Sequence, residues 1–182
     1  MPKVLVSLLR FFRAAPALAG DGGRGTLVAF FSHSGNTRKV AGFVREFTGG
    51  ALFEIKVEKL YPADFQQTIT VAGREKETKA RPSLADSVHA MEGFRTVFLG
   101  YPNWWYDMPM PVYSFLEAYD FEGKIVAPFC THGGSGLSST VAALREILPR
   151  ARVLEGLAVP GKEAETASDA VRGWLSRVGF MQ

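Results

Sequence analysis

The sequence contains a single cysteine, Cys130, among its 182 residues. One thiol cannot form an intramolecular disulfide, and it excludes a zinc site built from several cysteines, so no metal site is expected. The chain also lacks an apolar run of membrane-spanning length, and no membrane span is expected. It has no G-x-x-x-x-G-K-[ST] string, which argues against a nucleoside triphosphate site of the Walker A type.

The chain also lacks a net charge over most of its length, although the whole sequence carries +3. Residues 1–24 contain four basic residues and one acidic residue. The 21 basic and 18 acidic residues of the whole chain therefore leave 17 of each for residues 25–182. A nucleic-acid-binding surface needs a basic stripe. We therefore expect no nucleic-acid partner.

The first 25 residues differ from the rest in composition. They have a basic residue near the start, Lys3, then a short apolar stretch and an A-x-A pattern at 17–19, as secretion signals do. Arg10 and Arg13 interrupt the apolar stretch, however. We expect residues 1–25 to be an N-terminal extension and the location to be cytoplasmic, with export by this segment as the alternative. Residues 26–182 are long enough for one domain.

Apolar strand patterns and amphipathic helix patterns alternate from residue 26 onward. Such alternation predicts an α/β fold with a parallel sheet that is covered by helices on both faces. Residues 51–58 alternate polar and apolar side chains, which indicates an outer strand, and residues 65–80 are expected to form a polar helix with a solvated face. The predicted strands are 26–31, 51–58, 96–100, 124–130 and 152–159, and the predicted helices are 36–48, 65–80, 111–119, 137–148 and 163–178.

Three unusual loops follow predicted strands, at 32–37, 101–109 and 131–136. The carboxyl ends of parallel strands meet at one edge of the sheet, where ligands of open α/β sheets bind. All three loops are therefore expected to lie together. This placement predicts one ligand site that all three loops share.

The first loop has the composition of a phosphate site. A helix start has unpaired N–H groups and partial positive charge, and small residues let a phosphate approach them closely. The alternative to a phosphate site is an ordinary helix cap. His33 and Arg38 are expected either to touch the phosphate or to face solvent. Walker A and G-x-G-x-x-G strings are missing at this position, which argues against a nucleoside triphosphate and a classical dinucleotide site. A ligand with a single terminal phosphate remains, and FMN is the expected cofactor of that class. Its phosphate ligands would be Ser32, Ser34, Gly35, Asn36 and Thr37.

The second loop places four aromatic residues within six positions, in YPNWWY at 101–106. Loops are usually exposed, so such a cluster indicates a binding surface. A flat flavin ring needs an apolar platform, which Trp104 or Trp105 can supply beside Pro102 and Asn103. The alternatives are that the tryptophans cover the sheet edge or form a dimer contact.

The third loop offers backbone N–H groups that can stabilise negative charge on a reduced flavin. His132 is a candidate proton donor or substrate ligand, and an exposed histidine without a role is the alternative. Cys130 is expected to be a small buried residue. The candidate cofactor ligands in this loop are Thr131, His132, Gly133, Gly134, Ser135 and Gly136.

Three segments, FFSHSGNTRKVA, LGYPNWWYDMPMPVYSFLE and APFCTHGGSGLSST, together resemble the flavodoxin-like proteins of the small single-domain bacterial family. The resemblance covers about residues 26–159. It implies a three-layer sandwich with a five-stranded parallel sheet of order 2-1-3-4-5 and a noncovalent FMN. Its phosphate loop falls on 32–37, and its two ring-binding loops fall on Pro102–Trp105 and Thr131–Gly136.

The resemblance leaves several functions open. One function is an oxidoreductase that uses NADH or NADPH to reduce quinone-like acceptors. The other is a flavodoxin-type electron carrier, whose partner would be a redox protein. The neutral charge of residues 25–182 favours the oxidoreductase. A non-catalytic binding module, and a homodimer, are further alternatives. A serine hydrolase using Ser34 or Ser135 with His132 is disfavoured, because neither serine stands in a G-x-S-x-G string.

Overall fold

Strands and helices alternate along the chain in the order that the sequence predicts. The structure is a computed structural model that describes residues 25–181, so the predicted extension or signal segment lies outside the described residues. The strands are β1 (Thr26–Phe30), β2 (Ala51–Glu54), β3 (Thr96–Pro102), β4 (Ile125–His132), β5 (Arg152–Val153) and β6 (Leu157–Pro160). The helices are α1 (Asn36–Thr48), α2 (Phe65–Glu77), α3 (Met110–Ala118), α4 (Thr140–Ile147) and α5 (Ser168–Arg177), with 3-10 turns at Met91–Gly93 and Gly161–Thr166.

The sheet is parallel throughout and has the order β2-β1-β3-β4-β5, with β6 also paired to β4. β5 and β6 therefore occupy one position in the sheet, and the predicted order 2-1-3-4-5 is confirmed. The predicted strand 152–159 is interrupted, because β4 pairs with β5 through Val126 and with β6 only from Phe129 onward. Pro128 lies in this gap, and a proline has no N–H to donate to the ladder.

Two apolar cores cover the two faces of the sheet. Successive residues of β1 point to opposite faces, as a strand requires: Leu27 packs into one core and Val28 into the other. Helices α1 and α5 cover the face of Val28, and helices α3 and α4 cover the face of Leu27. The three-layer sandwich predicted from the sequence is confirmed.

Local capping fixes the end of the first helix and the start of the second. Helix α1 ends at Gly49, which has a φ of 67° and donates its N–H to the Arg45 carbonyl at 2.8 Å. A left-handed residue at this position is readily supplied by glycine. Helix α2 begins after Asp64, whose carboxylate accepts from the Gln67 N–H at 2.9 Å. Capping of this kind typically contributes about 1 kcal/mol.

Several element bounds differ from the predictions. β2 ends at Glu54, although its position at the edge of the sheet is confirmed. β3 and β4 run two residues further than predicted, to Pro102 and His132, because these ends pair with each other and with β6. The predicted start of α4 at 137 is also wrong, because residues 137–139 form a turn. The last helix begins as a 3-10 turn, and α5 itself starts at 168.

In the described range, no helix combines the length and the apolarity that a membrane crossing requires. Residues 25–181 also contain no cluster of three histidine, cysteine or acidic side chains that could hold a metal ion.

Candidate functional site

The three predicted loops converge on one cleft of about 1070 Å³ at the carboxyl ends of β1, β3 and β4. Helix α2 and the 3-10 turn at Gly161–Thr166 complete its walls. Four of the predicted ligands, Ser32, Gly35, Thr37 and Gly136, lie in these loops but do not line the cleft. The predicted residues that line it are Ser34, Asn36, Pro102, Asn103, Trp104, Trp105, Thr131, His132, Gly133, Gly134 and Ser135.

The first loop leaves backbone donors free at the start of α1. Gly35 has a φ of 91°, and its carbonyl accepts the first helical bond, from the Lys39 N–H at 3.1 Å. Ser32 Oγ accepts from the Arg38 N–H at 3.3 Å. In residues 25–181 the N–H groups of Asn36 and Thr37 have no hydrogen-bond partner, and no acidic residue stands in the first helical turn. This geometry suits an anion.

The basic side chains next to this loop are engaged elsewhere. Arg38 forms an ion pair with Glu54, and Lys39 forms one with Glu165. His33 lies against Tyr61 and Trp104, with ring centroids 6.4 Å and 5.9 Å away. The positive potential at this loop therefore comes from its backbone dipoles rather than from these side chains.

A buried pair of hydroxyl groups joins the first loop to the third. Thr37 Oγ1 and Thr131 Oγ1 lie 2.8 Å apart, and both side chains are buried. Each hydroxyl satisfies the other where water has no access. The pair therefore holds the start of α1 against the end of β4.

We expect the single substitutions Thr37→Val and Thr131→Val each to lower the free energy of unfolding by about 1–3 kcal/mol, because each leaves one buried hydroxyl unpaired. The double variant should lose much less than the sum, since both polar groups are then removed. Urea unfolding of the FMN-free variants measures this coupling. Strictly additive losses would show that the two hydroxyls do not depend on each other.

Trp104 forms an aromatic wall of the cleft. Its ring packs edge-on against Phe31 and Tyr61, with centroids 5.5 Å and 5.2 Å away. The Tyr61 hydroxyl donates to Glu75 at 2.5 Å, and burial together with this bond raises the pKa of Tyr61 far above its usual range. Trp104 is thus held by aromatic neighbours on two other segments of the chain, as a fixed apolar platform requires.

Residues 104–107 form a two-residue turn with an unusual backbone. Trp105 and Tyr106 have φ values of 54° and 61°. The Trp104 and Asp107 backbones exchange hydrogen bonds of 3.0 Å in both directions. This is the pattern of a type I′ hairpin turn, which normally takes Asn and Gly. The Tyr113 hydroxyl holds the turn by donating to Asp107 Oδ1 at 2.8 Å.

Helix α2 contributes to the site, which the sequence interpretation did not foresee. The Trp105 indole N–H donates to the Ile69 carbonyl at 3.0 Å. Lys76, assigned to a solvated face, donates to the Trp105 carbonyl at 2.6 Å and lies 3.5 Å from Asp107. One sequence pattern could have indicated that α2 faces the cleft. Its three apolar cleft residues are spaced as on one face of a helix, and these are Phe65, Ile69 and Ala72.

The third loop positions the ring of His132. Its Nδ1 accepts from the Gly134 N–H at 3.0 Å, so the neutral ring carries its proton on Nε2. Beneath the loop, the Cys130 thiol donates to the Gly136 carbonyl at 3.3 Å, and burial raises the pKa of Cys130 to about 12. Cys130 is buried, as predicted, and remains a thiol at neutral pH.

Asn103 joins the second loop to the third and has one unused acceptor. Its amide nitrogen donates to the Gly136 carbonyl at 2.8 Å and to Ser138 Oγ at 3.0 Å. These acceptors fix the orientation of the amide. Asn103 Oδ1 is buried and has no partner in the described part of the chain. Buried polar atoms without partners are rare, and this one borders the cleft.

A sequence model of the family described as Flavodoxin matches residues 25–178. The chain belongs to the flavodoxin family. The flavodoxin-family fold explains why the three loops meet, because the sheet order reverses beside β1 and β3 and leaves a crevice at their carboxyl ends. Comparison with curated proteins produced no match.

Solved structures share this flavodoxin-family fold. A candidate flavoprotein from Bacteroides uniformis is 32% identical, with a TM-score of 0.73, and the match covers 82% of this chain and 99% of that chain. A candidate flavoprotein from Bacteroides eggerthii is 29% identical, with a TM-score of 0.76, covering 87% and 99%. A flavoprotein in complex with FMN from Lactobacillus acidophilus shares the fold at 24% identity and a TM-score of 0.66, covering 79% and 97%.

Proposed function

We propose that the protein binds FMN noncovalently in this cleft and transfers electrons from NADH or NADPH to small flat acceptors of the quinone type. The observation that carries the proposal is the arrangement of the cleft. A backbone anion site at α1, an aromatic wall at Trp104 and a glycine-rich loop after β4 all face one space.

The residues present fit FMN. The cleft of about 1070 Å³ is slightly larger than the range of about 300–1,000 Å³ for small-molecule pockets, so it has room for a cofactor of this size. The unpaired N–H groups of Asn36 and Thr37 suit the phosphate. Asn103 Oδ1 is an acceptor that a ring N–H would satisfy once the loops adjust around it. The Lactobacillus acidophilus neighbour was solved with FMN, which supports the same cofactor class here.

One loop would hold the phosphate of the cofactor, and the other two would hold its ring. When bound, FMN supplies the two-electron chemistry, and the protein supplies orientation and electrostatics. The first loop would hold the phosphate through Ser32, Ser34, Gly35, Asn36 and Thr37. The other two loops would hold the ring through the residues that line the cleft, which are Pro102, Asn103, Trp104, Trp105, Thr131, His132, Gly133, Gly134 and Ser135.

The reaction needs a proton source as well as an electron source. NADH or NADPH gives up a hydride, which carries two electrons and one proton. A quinone gains two electrons and two protons on becoming a hydroquinone, so a second proton must come from solvent or from the site. His132 is placed for this role, because its Nδ1 accepts from Gly134 and its Nε2–H is left to donate.

The charge distribution supports a small-molecule acceptor. Residues 25–182 carry equal numbers of basic and acidic side chains. An electron carrier that docks on other redox proteins benefits from a strong net charge, since complementary fields speed such encounters. A chain without that field is better suited to an acceptor that diffuses into the cleft.

The visible spectrum of the purified protein tests the cofactor, and NADH and NADPH oxidation with benzoquinone tests the reaction. We expect a flavin band after incubation with FMN, and quinone-dependent turnover with at least one donor. The His132→Gln variant should still bind FMN but turn over more slowly, because it lacks the Nε2–H donor. A protein that gains no flavin band refutes the proposal. Bound flavin without any turnover favours a carrier.

A further inference from the structure

We propose that Lys76 and Asp107 are positioning residues, which together hold the second loop in the conformation that binds FMN. We call these two residues the clamp. The inference rests on the proposed function, because the affinity that it concerns is the affinity for FMN. It assigns a role in cofactor binding to two charged side chains that do not themselves line the cleft.

The turn at 104–107 keeps a backbone conformation that its side chains disfavour. Trp105 and Tyr106 have φ values of 54° and 61°, in the left-handed region that costs energy for residues with a Cβ. Strain of this kind persists only where the surrounding structure enforces it. The two backbone bonds between Trp104 and Asp107 close the turn but do not attach it to neighbouring elements. Its shape therefore depends on contacts with the helices beside it.

One carboxylate oxygen of Asp107 attaches the turn to α3. Asp107 Oδ1 accepts from the Tyr113 hydroxyl and from the Met108 N–H, each at 2.8 Å. The Arg81 guanidinium lies over the Tyr113 ring, 5.0 Å from its centroid. Burial, together with the bond to Asp107, raises the pKa of Tyr113 above its usual range, so its hydroxyl remains a donor at neutral pH. This half of the carboxylate is thus held by neutral donors.

The other carboxylate oxygen attaches the turn to α2 through Lys76. Asp107 Oδ2 lies 3.5 Å from the Lys76 ammonium, and the two side chains expose only 19% and 40% of their surface. The same ammonium donates to the Trp105 carbonyl at 2.6 Å, in the peptide between the two strained residues. A hydrogen bond from a charged donor is stronger than one between neutral groups. Lys76 therefore holds the turn by its carboxylate and by its backbone at once.

The clamp joins two walls of the cleft without touching the space between them. Helix α2 and residues 102–106 of the second loop both line the cleft, whereas Lys76 and Asp107 do not. Within residues 25–181, neither member of the clamp has another ionic partner. Removing one of the two charges therefore leaves the surface of the cleft chemically unchanged. A change in FMN affinity would then report the conformation of the second loop rather than a lost contact with the ligand.

Loss of the clamp is expected to lower affinity through the FMN-free protein. A loop that adopts its binding conformation only part of the time binds its ligand more weakly by that fraction. We expect Lys76→Met to weaken FMN binding by about fivefold or more, because the strained turn then relaxes and binding must restore it. Riboflavin, which lacks the phosphate, should lose affinity by the same factor, since the first loop is unchanged.

Fluorescence titration of the full chain with FMN and with riboflavin measures both affinities. Lys76→Arg keeps the charge and a donor, so its affinities should stay within about twofold of wild type. Arg74→Met is the matched control, because Arg74 is an exposed basic residue of α2 whose side chain forms no hydrogen bond or ion pair within the described range. It should leave both affinities unchanged.

Hydrogen exchange of the FMN-free protein tests the clamp without any ligand. The N–H groups of Trp104 and Asp107 bond to each other's carbonyls across the turn, so their exchange reports on its opening. We expect both to exchange faster in Lys76→Met than in wild type. The N–H groups of β3 residues in the core, such as Phe98, should exchange at the wild-type rate, which separates local opening from a loss of folding.

Three results would overturn the clamp: unchanged FMN affinity in Lys76→Met, an equal loss in Arg74→Met, or unchanged exchange at Trp104 and Asp107. A loss confined to FMN, with riboflavin unaffected, would also overturn it, because Lys76 would then act on the phosphate. Failure of the proposed function looks different. Wild type would then gain no flavin band, whereas faster exchange in Lys76→Met would still show that the clamp holds the turn.

Discussion

Gly35→Ala is expected to weaken FMN binding at least tenfold, which corresponds to about 1.4 kcal/mol. Gly35 has a φ of 91°, which an alanine adopts only with strain. The loop of the free variant can relax by shifting. FMN binding then requires the N–H groups of α1 to return to the strained geometry, so the cost appears in the affinity. Fluorescence titration of FMN measures the change.

Gly123→Ala is the matched control for this prediction. Gly123 has a φ of 71°, and neither glycine has an atom within 4 Å of the position where a Cβ would stand. Gly123 precedes β4, at the opposite end of that strand from the cleft. Gly123→Ala should bind FMN with the wild-type affinity, whereas Gly35→Ala should lose affinity. Equal affinities in the two variants would show that the first loop does not hold the phosphate.

Trp174→Ala is expected to lower the free energy of unfolding by about 3–5 kcal/mol. Trp174 of α5 is fully buried, and its ring contacts those of Phe98 and Phe129 at centroid distances of 5.7 Å and 6.2 Å. Its indole N–H donates to the Glu155 carbonyl at 3.1 Å. Alanine leaves a large cavity in the core that α1 and α5 share and removes the hydrogen bond to the Glu155 carbonyl.

Urea unfolding of the FMN-free protein, followed by circular dichroism, measures this loss without the stabilisation that a bound ligand adds. Leu60→Ala serves as the control, because Leu60 is 81% exposed and a surface change of this kind stays within about 0.5 kcal/mol. A loss below 1 kcal/mol for Trp174→Ala would mean that this face of the sheet is loosely packed.

The order of the sheet and the meeting of the three loops could be predicted because they depend on local patterns. Apolar strands such as TLVAF and TVFLG are followed by segments of small, hydroxyl or aromatic residues, and parallel connection places those segments at one edge. The phosphate-type loop was recognisable from Ser, Gly, Asn and Thr between a strand and a helix.

The contribution of α2 could not be predicted, because long-range contacts bring it to the cleft. Its pattern of polar residues is that of a solvated helix, and only two of its residues, Thr68 and Ala72, are buried. One contact that holds it at the cleft is the bond between Trp105 and Ile69, which joins residues 36 positions apart. Local periodicity contains no information about such a pair.

The backbone conformation of the 104–107 turn could not be predicted from the sequence either. Asn-Gly at 105–106 would have indicated a type I′ turn, whereas Trp-Tyr gives no such signal. The sequence patterns also predicted that β3 and β4 end two residues earlier than they do, for a related reason. Pro102 and Thr131 have the composition of loop residues, but each finds its strand partner in the other.

The two edge strands of the sheet are short or interrupted. β2 spans four residues, and the opposite margin is divided between β5 and β6. Neither margin presents a long row of free peptide groups on which another chain could add a strand. Fibril-like stacking is therefore disfavoured by the architecture itself, and any self-association of this protein is expected to use its helices or loops.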